Sequence, residues 1–153
     1  MKKKVVLGLL TLALALLLTP SALAAPQPNL DMYVLDYVGA SGELFKAKGA
    51  AVDASRVCAS GTVDEISKQE SGPPNGDFAK WNILKRFNCD DESGTFDLRL
   101  LVTVDLNSYH MTGHWQIVEG TGNYSDLRGK GSFEGVPVYK GSVSNDHYTG
   151  TTN

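Results

Sequence analysis

From Leu30 onward the chain holds no long stretch with apolar residues at i, i+3, i+4 and i+7. Instead, short runs rich in β-branched and aromatic residues alternate with clusters of Gly, Asn, Asp and Pro. That punctuation predicts strands near 31–38, 44–53, 56–68, 79–89, 95–106, 112–119, 127–134 and 136–143. The period is clearest in the stretch 94–106. Phe96, Leu98, Leu100, Val102 and Val104 share one face there, and Asp97, Arg99, Leu101, Thr103 and Asp105 share the other, the pattern of a half-buried strand. In the run before it Trp81, Ile83, Phe87 and Cys89 line one face, and Lys85 falls on that same apolar face.

Folding these two runs about Asp90-Asp91-Glu92-Ser93, with Cys89 opposite Gly94, pairs Phe87 with Phe96, Ile83 with Leu100 and Trp81 with Val102. The same register sets Arg86 against Asp97 outside and Lys85 against Leu98 inside, so one register satisfies both faces. Pairing Val104 with Gly113 adds a third strand, with Val102 opposite Trp115, Leu100 opposite Ile117 and a loop over 107–111. Upstream, the Gly- and Pro-rich segment Gln69 to Asp77 reads as a loop. A hairpin centred between Pro73 and Pro74 sets Cys58 opposite Cys89 and Ile66 opposite Trp81, but also Asp64 opposite Ile83, which calls for a bulge. The Gly-rich stretch 120–135 predicts sharp turns, bulges or a strand bent at a corner. A meander with a bent end hides its edges by closing on itself. The expected fold is therefore all-β, a single antiparallel meander closing into a barrel of roughly eight strands.

The N-terminus adds a destination. Lys2-Lys3-Lys4, the apolar run Val5 to Leu18 and the small-x-small site Ala22-Leu23-Ala24 form the three parts of a secretory signal peptide. The run is shorter than a membrane span and ends before Pro20. The expected organisation is a signal peptide over 1–24 cut after Ala24, a disordered lead-in over 25–30 and a barrel domain over 31–153, secreted or periplasmic and free of the membrane after cleavage. Losing three lysines makes the remainder more acidic than the full chain's net charge of −3. With no basic stripe legible along the chain, nucleic acid is not an expected partner.

Cys58 and Cys89 both lie in the exported part, where two cysteines are more often a disulfide than a metal pair or a nucleophile. Compartment and register agree on a Cys58–Cys89 bridge. No metal is expected: His110, His114 and His147 lack a metal-ligand spacing, and Asn88 to Gly94 has its Gly one residue late for a calcium loop and no distal Glu. No G-x-S-x-G, phosphate loop or dinucleotide fingerprint occurs, so no cofactor is expected. Asn123-Tyr124-Ser125 is a glycosylation sequon. Lys85, on an apolar face with Trp81 and Trp115 nearby, is the one candidate for orienting an anionic group inside a barrel; the alternative is a side chain turned outward or snorkelling to the rim.

The segment Trp115 to Gly131 resembles the allene oxide cyclase and dirigent-type calycin barrels in its Gly120-Thr121-Gly122, Tyr124 and Arg128-Gly129 positions, and the run Phe87 to Phe96 resembles small exported bacterial barrels of this type. The resemblance implies an eight-stranded barrel with an apolar interior that handles hydrophobic molecules, and offers Arg128 as a counterpart of a site residue. The expected function is binding of a small apolar ligand in the barrel, with Trp81, Lys85, Trp115 and Arg128 as ligand-binding residues. A cyclase- or isomerase-like or dirigent-like enzyme is the first alternative, and an extracellular structural or interaction domain with a filled barrel the second. Fold-level likeness is associational evidence for function.

Overall fold

The computed structural model describes residues 26–37, 39–73 and 76–153; the expected signal peptide lies outside them. The strands are β1 (Asn29–Tyr37), β2 (Ser41–Lys48), β3 (Ser60–Ser71), β4 (Phe78–Cys89), β5 (Thr95–Asp105), β6 (Met111–Gly120), β7 (Gly129–Tyr139) and β8 (Val143–Thr152), with a one-turn helix α1 (Ala50–Asp53) between β2 and β3. Each strand pairs antiparallel with the next, and β8 pairs with β1 from Asn29↔Thr151 to Tyr37↔Val143, closing an eight-stranded barrel. Closure leaves the sheet without a free outer strand on either side.

The β4–β5 register is the one expected: Phe87↔Phe96, Ile83↔Leu100, Trp81↔Val102, Arg86↔Asp97 and Lys85↔Leu98. Arg86 holds Asp97 through two bonds of 2.8 Å, Nε to Oδ1 and Nη2 to Oδ2. The β5–β6 register is two residues away from expectation, with Val102↔Gly113 and Leu100↔Trp115. The turn between them is tighter than it reads. The Asp105 carboxylate accepts the N–H groups of Asn107 and Ser108, Tyr109 takes a φ of 61°, and Met111 re-enters the sheet as a buried residue paired with Val104. A slip of two keeps every side chain on its expected face.

Cys58 and Cys89 are bridged, with Cα atoms 5.9 Å apart, but they are not strand partners. Cys58 lies in the coil before β3, Gly61 pairs with Cys89, and the ladder shifts between Glu65 and Ser67, so the bulge falls at Ile66. Gly61 is required by close approach: a Cβ there would sit 2.7 Å from the Phe45 ring.

Three expected boundaries are corrected. The predicted strand 44–53 ends at Lys48, because Gly49 takes a φ of 104° and the Asn29 side chain accepts the Ala50 N–H at 2.9 Å, starting α1. The predicted lead-in 25–30 is strand from Asn29 onward, with Leu30 buried. The predicted strands 127–134 and 136–143 are the single strand β7, which runs through Gly135 and Pro137, with a shift only between Pro137 and Tyr139. The last strand is β8, whose inward positions include Ser144 and Asp146, so its sequence shows no apolar alternation.

The inner faces fill the barrel. Phe45, Phe87 and Phe96 pack with ring centroids 5.1–6.3 Å apart, and Tyr148 meets Phe87 and Phe133 edge-on. Ala51 of α1 is buried in the same cluster as Leu30, Val57 and Cys58. The other end, where β4 begins, is the mouth.

Candidate functional site

Lys85 projects from the middle of β4 into this interior and is 2% exposed. A lone buried ammonium would cost several kcal/mol. Here it is answered by Asp36, at the end of β1, in a direct ion pair, and by Asp146 of β8, whose Oδ2 lies 3.6 Å from Nζ. Asp146 is held in turn by the Ser144 hydroxyl, which donates to Oδ1 at 2.7 Å, and faces the Tyr148 hydroxyl at 3.5 Å. Glu43, from the start of β2, adjoins Asp36 and accepts the Tyr37 N–H. The network thus links four strands through one cation and three acids.

With three acids around one ammonium, protons are retained. Burial and then the neighbouring Asp36 push Glu43 up to about 8. Burial pushes Asp146 up to about 6, against the pull of Lys85. Burial favours the neutral amine of Lys85, but Asp36, Asp146 and Glu43 together outweigh it and raise its pKa. Burial also holds the Tyr148 hydroxyl well above its ordinary range. A buried, charged Lys85 answered by Asp36 and Asp146 is a structural tie between strands, its charge balanced from within the barrel.

The expected ligand residues are not gathered together. Trp81 shares the inner face of β4 with Lys85 but stands at the mouth, over a crevice of about 20 Å³ lined by Val104, Met111, Pro137 and Ser144 among others. That volume suits one water molecule. The Trp81 indole N–H is buried without a partner, and Lys68 covers its ring at 4.5 Å. Trp115 lies in the core, its indole N–H donating to Thr149 O at 3.2 Å. Its ring rests against Gly131 and Gly150, where a Cβ would approach to 2.7 and 2.6 Å. Arg128 is outside and at the opposite end, bonded through Nη1 to the carbonyl oxygens of Leu127 and Ser125.

The remaining candidates have local roles. His110 pairs with Glu134 at 3.0 Å and His147 with Asp31 at 2.7 Å, and no group of three or more His, Cys, Asp or Glu among the described residues is arranged to hold a metal. Asp91 accepts from both the backbone and the hydroxyl of Ser93, which closes the β4–β5 turn. The glycine motif builds the β6–β7 corner: Gly122 has a φ of 57°, and Tyr124 packs edge-on to Phe96 at 5.7 Å.

Sequence reasoning singled out Lys85 but missed its three partners. For Asp36 the signal was present, since it continues the inward series Leu30, Met32, Val34 with period two. No family model matches the chain, and neither the curated proteins nor the solved structures gave a match.

Proposed function

We propose that the protein is an extracytoplasmic interaction domain, a filled and cross-linked barrel that works through its outer wall and not by enclosing a ligand. The observation that carries this reading is the interior. Large side chains occupy the inner face, Lys85 is neutralised there by Asp36 and Asp146, and the mouth crevice holds about 20 Å³, whereas drug-sized ligands occupy pockets of roughly 300–1,000 Å³. The Cys58–Cys89 bridge fits an oxidising compartment, and the tripartite stretch 1–24 supplies the route there. Among the described residues no helix is long and apolar enough to cross a membrane. Membership of the allene oxide cyclase and dirigent type of barrel is part of the proposal, supported by the corner that Gly120, Gly122 and Tyr124 build.

A second reading has one observation in its favour. The unpartnered Trp81 N–H beside an apolar crevice is a donor awaiting an acceptor, so a small apolar molecule with a carbonyl or carboxyl end would dock at the mouth if the indole swung aside. An enzymatic reading would require the same opening, to bring substrate to Asp146 and Glu43.

Native mass spectrometry of protein taken from its own host separates the two. The expected spectrum is a chain beginning at Ala25 with one disulfide and no adduct. A stoichiometric small-molecule adduct would contradict the filled-barrel reading and favour the mouth.

A further inference from the structure

The outer wall between β5 and β8 carries a basic groove that no part of the interior uses. The strand registers align two outward rows across it. One is Arg99, Gln116, Lys130 and Thr151; the other is Leu101, His114, Ser132 and Thr149. Between these rows the inward positions of β7 and β8 are Gly131 and Gly150, which let the wall close down on the Trp115 ring. The depression left outside has a volume of about 500 Å³. A second one, of about 180 Å³, shares Gln116 and Lys130 with it and extends it past Arg128.

The charge of this groove runs against that of the molecule. The chain has 17 acidic and 14 basic residues, yet neither depression is lined by an Asp or a Glu. Arg99, Arg128 and Lys130 take part in none of the ion pairs found among the described residues. Arg99 and Lys130 stand two strands apart, roughly 10 Å at the usual strand spacing, which suits two charged units of one chain better than a single clamped anion. Between and beside them are the amide of Gln116, the hydroxyls of Ser132 and Thr151, and Leu101, which is 58% exposed.

We propose that this groove binds an acidic polysaccharide, with uronate carboxylates against Arg99, Lys130 and Arg128, sugar hydroxyls against Gln116, Ser132 and Thr151, and a ring face on Leu101. The inference rests on the outer-wall reading above. A uronate chain places modest charge on a hydrogen-bonding backbone. A nucleic acid carries a phosphate on every unit, and a net acidic protein repels it more strongly.

The test is titration of the disulfide-bonded protein with tetragalacturonate and with neutral maltotetraose at about 50 mM salt, followed by calorimetry and backbone amide shifts. The groove predicts binding of the acidic tetramer about tenfold or more tighter than the neutral one, from two or three exposed charge contacts. Amide shifts should be confined to the two rows and the adjoining Arg128. Binding should be lost in Arg99→Gln/Lys130→Gln and kept in Arg99→Lys/Lys130→Arg, with unchanged melting in both. Equal binding of the two sugars, no loss in the double Gln variant, no binding at all, or tighter binding of a single-stranded oligonucleotide of equal charge each overturns the proposal. None of these outcomes bears on whether the interior is filled, which an apolar ligand tests separately.

Discussion

Lys85 and Asp36, 49 residues apart in sequence, form a buried ion pair that ties β4 to β1 inside the barrel, and Asp146 extends the tie to β8, the strand that closes it. The buried charge cluster thus spans the β1–β8 seam at which the barrel closes.

Removing one member of the tie leaves the others buried and unanswered. Lys85→Met is expected to destabilise by about 3–5 kcal/mol, the range for breaking a buried pair from one side. Asp36→Asn combined with Lys85→Met should recover part of that loss, since the double variant removes a second charge. Urea unfolding of the two singles and the double gives the coupling directly. Additive effects, or a neutral Lys85→Met, would mean that the pair does not hold the strands.

The acids also set the pH dependence. Glu43 and Asp146 bind their protons more tightly folded than unfolded, at about 8 and about 6 against ordinary values of 4.5 and 3.8. Their contribution is fully present below the ordinary values and is lost as pH rises through about 6 and then about 8. Asp31, hydrogen-bonded by His147 and Lys48, is held below its ordinary 3.8, as is Asp91 through Ser93. Their contributions are lost in the opposite direction, as pH falls below that value. Stability should therefore peak near pH 4 and decline toward about pH 8, and Glu43→Gln should flatten the upper part of the decline. Denaturant midpoints across that range check it; a midpoint that rises from about pH 6 to about pH 8 contradicts it.

Reduction should matter more than the bridge's position at one end of the barrel suggests. Cys58 and Cys89 are separated by 31 residues, and a loop of that length implies about 3–4 kcal/mol in the chain-entropy model. Non-reducing peptide mapping should link the two, and Cys58→Ser/Cys89→Ser should melt well below wild type. Two free thiols in the native protein would refute the bridge.

What the chain reveals of itself follows from where each inner face gets its partners. The β4–β5 register was legible because both strands alternate cleanly and Arg86 with Asp97 adds a charge match on the outside. In β8 the inward residues Ser144 and Asp146 look solvent-facing until Lys85, supplied from another strand, is known. Lys85 itself stood out as a misfit on an apolar face, and Asp36 at the end of the inward series of β1 was the other local trace of the network. The disulfide was legible from compartment, but the register invoked for it is not the one formed, because Ser71 pairs with Lys80, which centres the hairpin beyond Pro74, and Cys58 lies in the coil before β3. The outer groove was not legible, because Arg99, Arg128 and Lys130 are brought together only by the pairing of β5, β6 and β7.

The central claim is that the interior is filled, and tryptophan emission tests it most directly, since Trp115 lies in the core and Trp81 at the mouth. Wild type and Lys85→Met would be titrated with fatty acids and with neutral apolar analogues of equal length. A filled barrel predicts no saturable change in emission with any of them in wild type. A saturable change with fatty acid that Lys85→Met abolishes would contradict the account and place a ligand inside.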